Sequence, residues 1–220
     1  MRLIVCAFAL CALASCGGPS GTPAETGEPK KTDSVATAPV ADSSSTSTFS
    51  GVPVDISQSK IDWVGAKVTG KHTGTLNLKG GGVVIENGEI KGGEIVLDMA
   101  SITVTDLQGE EKGKLEGHLK TGDFFETDKF PTGKFVLTGA KAEKKGDNTH
   151  VLEGNLTLKG IEKGVKFPAK VEFTNEGKGV KIIAKDILID RTLWGITYKG
   201  MADNAIKNDI GLSFILVTKN

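Results

Sequence analysis

From Val52 to Thr218 apolar and polar residues change places with a period of two, the period of a strand buried on one face. "HVLEGNLTLKG" sets Leu152, Gly154, Leu156 and Leu158 against Glu153, Asn155, Thr157 and Lys159. "GVKFPAKVEF" sets Val165, Phe167, Ala169, Val171 and Phe173 against Lys166, Pro168, Lys170 and Glu172. "TGTLNLKG" places Leu76 and Leu78 together, and "GGEIVLDMA" places Ile95, Leu97 and Met99 together. In "SKIDWVGAKV" the apolar phase changes at Gly65, from Ile61 and Trp63 to Val64, Ala66 and Val68, which predicts a bulge or sharp bend there. Asn87-Gly88 between two apolar runs predicts a hairpin. Pro168, on a polar face, points to a sheet edge or a bulge. "VKIIAKDILID" and "DIGLSFILVT" are apolar on both faces. Only "EEKGKLEGHL" has helical spacing, through Leu115, His118 and Leu119, and its glycines weaken it.

Many strands and almost no helix predict an all-β fold, an antiparallel sandwich or a barrel. Long strands with one consistently apolar face favour a barrel wrapped around its own interior. Small residues inside the apolar faces, Gly154 and Ala169, would leave room along such a barrel's axis.

The first fifty residues lack this alternation. Arg2 precedes an uncharged apolar run from Leu3 to Ala14, too short to span a bilayer and suited to a secretory signal. Leu13-Ala14-Ser15-Cys16 resembles the lipobox of bacterial lipoproteins, in which the chain is cut before the cysteine and its thiol is acylated; an ordinary signal cut near Ala14 or Ser15 is the plainer alternative. Residues 1–15 are thus expected to be a lipoprotein signal and Cys16 the site of lipidation, with palmitate or a similar acyl chain. Residues 16–51, rich in Gly, Pro, Ser, Thr and Ala, read as a disordered tether with a reach of roughly 30–35 Å. The folded domain is expected over 52–220.

Composition narrows the chemistry. All three cysteines, Cys6, Cys11 and Cys16, precede the domain, so disulfides, zinc–thiolate sites and cysteine catalysis are excluded from it. Lys and Arg balance Asp and Glu at 27 each, without a basic stripe, which argues against nucleic acid as a partner. No nucleophile elbow or phosphate loop occurs, and "KGGGV" reads as a loose turn. His72, His118 and His150 lack metal-ligand spacing, so no metal, cofactor or catalytic residue is expected.

Two segments stand out from the strand pattern. "GHLKTGDFFETDKFPTGKF" crowds Phe124, Phe125, Phe130 and Phe135 among charges, and "IDRTLWGITYKG" brings Arg191, Trp194 and Tyr198 together. Trp194 suits a core plug and Arg191 an ion pair with Asp190 or another acid. The functional reading is an aromatic and a cation at a cavity mouth, where an amphiphile finds apolar walls for its tail and a donor for its head. "HLKTGDFFETDKFPTGKFVLTG", "GNLTLKGIEKGVKFP", "IDRTLWGI" and "IDWVGAKVTGKHTGTL" together resemble, in order, the motifs of the YceI-like lipid- and polyisoprenoid-binding proteins.

That resemblance spans about Val54 to Thr218 and implies an extended eight-stranded antiparallel β-barrel, lipocalin-like, with one or two short helices around 113–130. It implies an elongated apolar pocket for isoprenoid or fatty-acyl amphiphiles. Pocket candidates are Trp63, His118, Phe124, Phe125, Phe167, Ala169, Arg191, Trp194 and Phe214. Of the adjacent phenylalanines, one would plug the barrel and the other pack outside. Lysine-rich inserts around Lys112, Lys144 and Lys178 read as loops. The expected protein sequesters or carries a polyisoprenoid, an isoprenoid quinone precursor or a fatty-acyl lipid. It would be held by Cys16 in the bacterial envelope, at the outer membrane facing the periplasm, since Gly17 and not an acid follows the cysteine. The rivals are a filled structural or envelope-stress barrel, and an enzyme using His118 and Arg191 on a bound lipid. The sequence leaves the oligomeric state open, a dimer included.

Overall fold

The structure, a computed structural model, describes residues 18–31 and 51–219. The expected signal, Cys16 and most of the expected tether lie outside the described residues. In chain order the elements are β1 (Thr22–Pro23), β2 (Glu25–Gly27), β3 (Val52–Pro53), β4 (Lys60–Lys67), β5 (Gly70–Glu86), β6 (Glu89–Val104), α1 (Gly109–Lys120), β7 (Thr132–Lys145), β8 (Asn148–Leu158), β9 (Ile161–Thr174), β10 (Gly179–Asp190) and β11 (Ile206–Val217). The sheet runs β10-β11-β4-β5-β6-β7-β8-β9, and β9 returns to β10. Eight antiparallel strands, β4 to β11, thus close into a barrel, as the alternation and the resemblance imply.

Local chemistry explains the turns. Asn87 and Gly88 both take positive φ, 54° and 73°, the pair of left-handed residues that matches a two-residue hairpin to strand twist. The phase change at Gly65 is absorbed by the partner strand: Gly65 and Lys67 face Ile210 and Ile206, so the extra residues bulge from β11 and not from β4. "KGGGV" is not a turn. It lies inside β5, where Gly81 lets the backbone pass against the Glu94 carbonyl, a position with no room for a Cβ. Lys112 sits in α1 and Lys144 in β7, so only Lys178 of the three supposed loop inserts is in a turn. Among the described residues one α-helix forms, earlier than expected, and 121–130 is a run of turns.

The expected 16–51 tether needs correction. Residues 22–27 are strands of the barrel wall: Thr22 and Pro23 pair with Ile187 and Leu188, and Glu25, Thr26 and Gly27 pair with Lys166, Val165 and Gly164.

The barrel has a helix end, with α1, the 159–160 turn and the 191–206 segment, and a hairpin end, with the turns at 87–88 and 175–178. Toward the hairpin end the interior is filled by Val83, Ile90, Leu152, Val171, Val180 and Ile182. Ala169 lies in that filled part with 0% exposure. Phe173, expected on the same inward face, is exposed instead, beside the His150 ring at the rim.

An apolar cavity at the helix end

Toward the helix end the interior is not filled. A cavity of about 200 Å³ remains. One water needs roughly 10–15 Å³ by the same measure. Along β8, β9 and β10 its walls alternate as the pleat requires, whereas the bulged β11 also brings consecutive residues, Ile206 with Lys207 and Asp209 with Ile210, to the lining. Ile95, Leu97 and Met99 of β6 face it, as do Leu156 and Leu158 of β8, Val165 and Phe167 of β9, and Ile187 and Ile189 of β10. The split along β9 is sharp: Val165 and Phe167 face the cavity, whereas Ala169 and Val171 belong to the packed end.

Cross-strand glycines keep the centre open. Trp63 of β4 is registered with Gly74 of β5, and a Cβ at Gly74 would collide with the indole. The ring therefore lies flat on the wall, its Nε1–H donating to the Thr75 carbonyl at 3.3 Å. Phe135 lies over Gly154 in the same way. The expectation that Gly154 leaves room for a ligand is thus corrected: Phe135 takes that room. Phe135, Phe167 and Phe214 then follow one another at centroid distances of 5.8 Å, the usual spacing of aromatic pairs.

The Phe124-Phe125 pair also departs from expectation. Both line the cavity. They sit in a turn in which the Phe124 N–H donates to the Thr121 carbonyl and the Phe125 N–H to the Leu119 carbonyl, so neighbouring side chains need not diverge as in a strand. His118 is not on the cavity wall. Its ring stands edge-on behind Phe124 and against Tyr198, each at 5.0 Å, and its Nε2 is 2.9 Å from Asp123 Oδ2. It braces the wall from outside.

Arg191 reaches the wall, but its guanidinium is committed elsewhere. It is 2% exposed and donates to the carbonyls of Lys207 (3.1 Å), Ile196 and Tyr198 (2.8 Å). Burial pushes its pKa down from the ordinary arginine value, and nearby Asp190 works the other way. Asp190 does not pair with it. That carboxylate caps the following turn, accepting from the Thr192 N–H and hydroxyl. Arg191 thus knots the 191–206 segment over the barrel mouth. Trp194, with 0% exposure, packs beside it as a plug, its Nε1–H donating to the Leu156 carbonyl at 2.9 Å. Of the pocket candidates, Trp63, Phe124, Phe125, Phe167, Arg191 and Phe214 reach the wall, whereas His118, Ala169 and Trp194 do not.

The aliphatic wall, such as Leu76, Ile102, Ile187 and Leu212, was missing from those candidates. Its signal was present as period-two alternation, but nothing in that pattern separates a residue facing a void from one facing a packed core. Among the described residues no group of three or more His, Cys, Asp or Glu is placed to hold a metal ion. The histidines are apart: His72 pairs with Asp106, His118 with Asp123, and His150, its pKa lowered by burial, with Thr149.

Comparison with known proteins agrees with this architecture. Two solved structures share the fold. BcnA of Burkholderia cenocepacia superposes with a TM-score of 0.61 at 19% identity, covering 76% of this chain and 99% of its own. A polyisoprenoid binding domain from Saccharophagus degradans, implicated in plant cell wall breakdown, gives 0.58 at 14% identity, covering 77% of this chain and 98% of its own. A UPF0312 protein of Pseudomonas putida is 41% identical over 61 residues, 28% of this chain and 30% of that protein. Another, of Azotobacter vinelandii, is 34% identical over 88 residues, 34% of this chain and 44% of that protein. The chain therefore spans less than half the length of the curated relatives it matches. The model of one family, described as the YceI-like domain, runs from residue 53 to residue 218, nearly the span of the barrel, and the chain belongs to that family.

Proposed function

We propose that the protein holds one long-chain lipid in the barrel cavity, a polyisoprenoid, an isoprenoid quinone precursor or a fatty-acyl amphiphile, and performs no covalent chemistry on it. The observation that carries this is the apolar cavity itself. Interiors are close-packed, and lining atoms that face a void lose their dispersion contacts. An apolar cavity of this size suits an apolar guest. Each methylene buried in it gains about 0.8 kcal/mol, so the stretch of chain that it encloses is held without a strong polar contact. That suits a site whose one arginine already serves three backbone carbonyls. The shared fold with a polyisoprenoid binding domain supports the same ligand class.

The Leu-Ala-Ser-Cys sequence ending at Cys16 supports an acylated anchor in the bacterial envelope, at the outer membrane facing the periplasm. With residues 22–27 docked, the anchor would sit close to the barrel and not on a long tether. The test is native mass spectrometry of protein taken gently from membranes. A lipid adduct lost on delipidation, and regained with a C40 to C55 isoprenoid or a fatty acid, is expected. An interior that remains empty with every such lipid would overturn the proposal in favour of a purely structural barrel.

A further inference from the structure

The barrel does not close along its whole length. β9 and β10 pair from Lys170 with Ile183 to Thr174 with Gly179, and toward the helix end that ladder stops. Two features part the strands. β10 bulges between Ala184 and Ile187, where Asp186 takes a φ of 52°. β9 carries Pro168, without an N–H to donate, just beyond the last paired residue. Past this point the wall between β9 and β10 is completed by residues 18–31, β1 bonding to β10 and β2 to β9.

That segment is built to fit and yet held lightly. Gly21 passes so close to the Asp186 carbonyl that no Cβ would fit, and Gly164 gives Glu28 the same clearance. The Ala24 N–H donates to the Leu188 carbonyl at 2.8 Å, and Ala24 packs on the core. At the far end the buried Asn155 side chain holds the Lys30 backbone twice, at 2.9 and 2.8 Å. The remaining ties are surface ion pairs, Glu25 with Lys166, Glu28 with Lys163 and Lys30 with Glu153. The two edges it bridges are cavity walls: Val165 and Phe167 on β9, Ile187 and Ile189 on β10.

We propose that residues 18–31 are a removable stave of the barrel wall, and that the seam beneath them is the entrance through which an apolar chain reaches the cavity. This rests on the lipid-holding reading above. A long chain need not be threaded past Trp194 and the Arg191 knot at the barrel mouth; it enters sideways along the seam, and the stave then restores the wall. Segments that open are drawn from elements with few buried apolar contacts and many exposed backbone hydrogen bonds, which describes this stave.

The experiment uses the full chain with Glu25→Cys and Lys166→Cys, two directly paired positions at which a disulfide staples the stave to β9. The probe is 12-bromododecanoic acid, whose bromine quenches tryptophan emission on contact and so reports arrival beside Trp63. Oxidised protein should be quenched at least tenfold more slowly than the same sample reduced with dithiothreitol, with equal final amplitude, while the wild type ignores the reductant. Asn155→Ala, which frees Lys30, should be quenched at least threefold faster than wild type. Equal rates for stapled and reduced protein, or an unchanged rate for Asn155→Ala, would overturn the entrance alone. Absence of quenching in the wild type would overturn the lipid-holding reading and the entrance with it.

Discussion

Two tryptophan substitutions on inward faces should have opposite effects. Ala169 has 0% exposure and lies in the filled end, so an indole there must displace packed core side chains that have nowhere to go. Overpacking typically costs 1–3 kcal/mol, and an indole in place of a methyl belongs at the top of that range. At about 2–4 °C per kcal/mol for a domain of this size, Ala169→Trp should lower Tm by about 6–12 °C. Leu76 points inward and is only half-buried, because it faces the cavity. An indole there enters open space, and burying roughly 40–60 Å² of additional apolar surface would gain about 1 kcal/mol. Leu76→Trp should therefore keep the wild-type Tm or exceed it by a few degrees, while excluding ligand. Circular dichroism melts without ligand and fatty-acid uptake at equilibrium read both effects. Ala169→Trp protein that melts normally and loses uptake would mean that the cavity extends into the hairpin end. A Leu76→Trp protein that unfolds early, or still takes up a full complement of ligand, would refute the division of the interior.

Arg191→Lys should lower Tm by about 6–12 °C, because the ammonium cannot reach three divergent carbonyls and the loss of buried partners costs about 3 kcal/mol; a calorimetric melt checks it. Gly74→Ala drives its methyl into the Thr103 carbonyl as well as the Trp63 ring, so Tm and uptake should fall and the emission maximum should shift, measured by circular dichroism and fluorescence. Docking of the stave should depend on pH. Glu153, facing Lys30, Lys166 and Lys141, has its pKa lowered below the usual 4.5, chiefly by its hydrogen bond to Lys30. A carboxyl depressed in the docked state contributes stability above its free value and loses it as pH falls through the docked one. Hydrogen exchange at Ala24 should therefore be slow at pH 6 and, corrected for intrinsic rate, accelerate as pH falls below the free carboxyl value. Cys16→Ser should move the protein from the membrane to the soluble fraction on detergent partitioning.

What the sequence made legible follows from where the side chains carry the information. Inward faces of β6, β8 and β9 are written in period two, and Asn87-Gly88 writes its own turn, because burial and positive φ each restrict residue choice directly. Cross-strand complementarity is different. Gly154 and Gly74 look like vacant space along one strand, yet each is filled by a ring from its neighbour, Phe135 and Trp63. Only the register, which pairs Trp63 with Gly74, distinguishes a channel from a socket. The Phe124-Phe125 pair follows a related logic: the strand rule for adjacent residues does not hold in a turn, and both rings face the cavity.

The stave was the least legible element. β1 and β2 hold the barrel through backbone hydrogen bonds and surface ion pairs, and Ala24 packs on the core. Strand addition at an edge draws its affinity from the main chain, which every sequence possesses. A segment of Gly, Pro, Thr and Glu therefore reads as a tether whether or not it docks. The information resides in the receiving edge instead. Pro168, on the polar face of an otherwise regular strand, marks the point past which β9 stops pairing with β10 and accepts the stave. An interrupted ladder in a closed barrel leaves unpaired N–H and C=O groups that some strand must satisfy, and here the chain's own N-terminal segment supplies it.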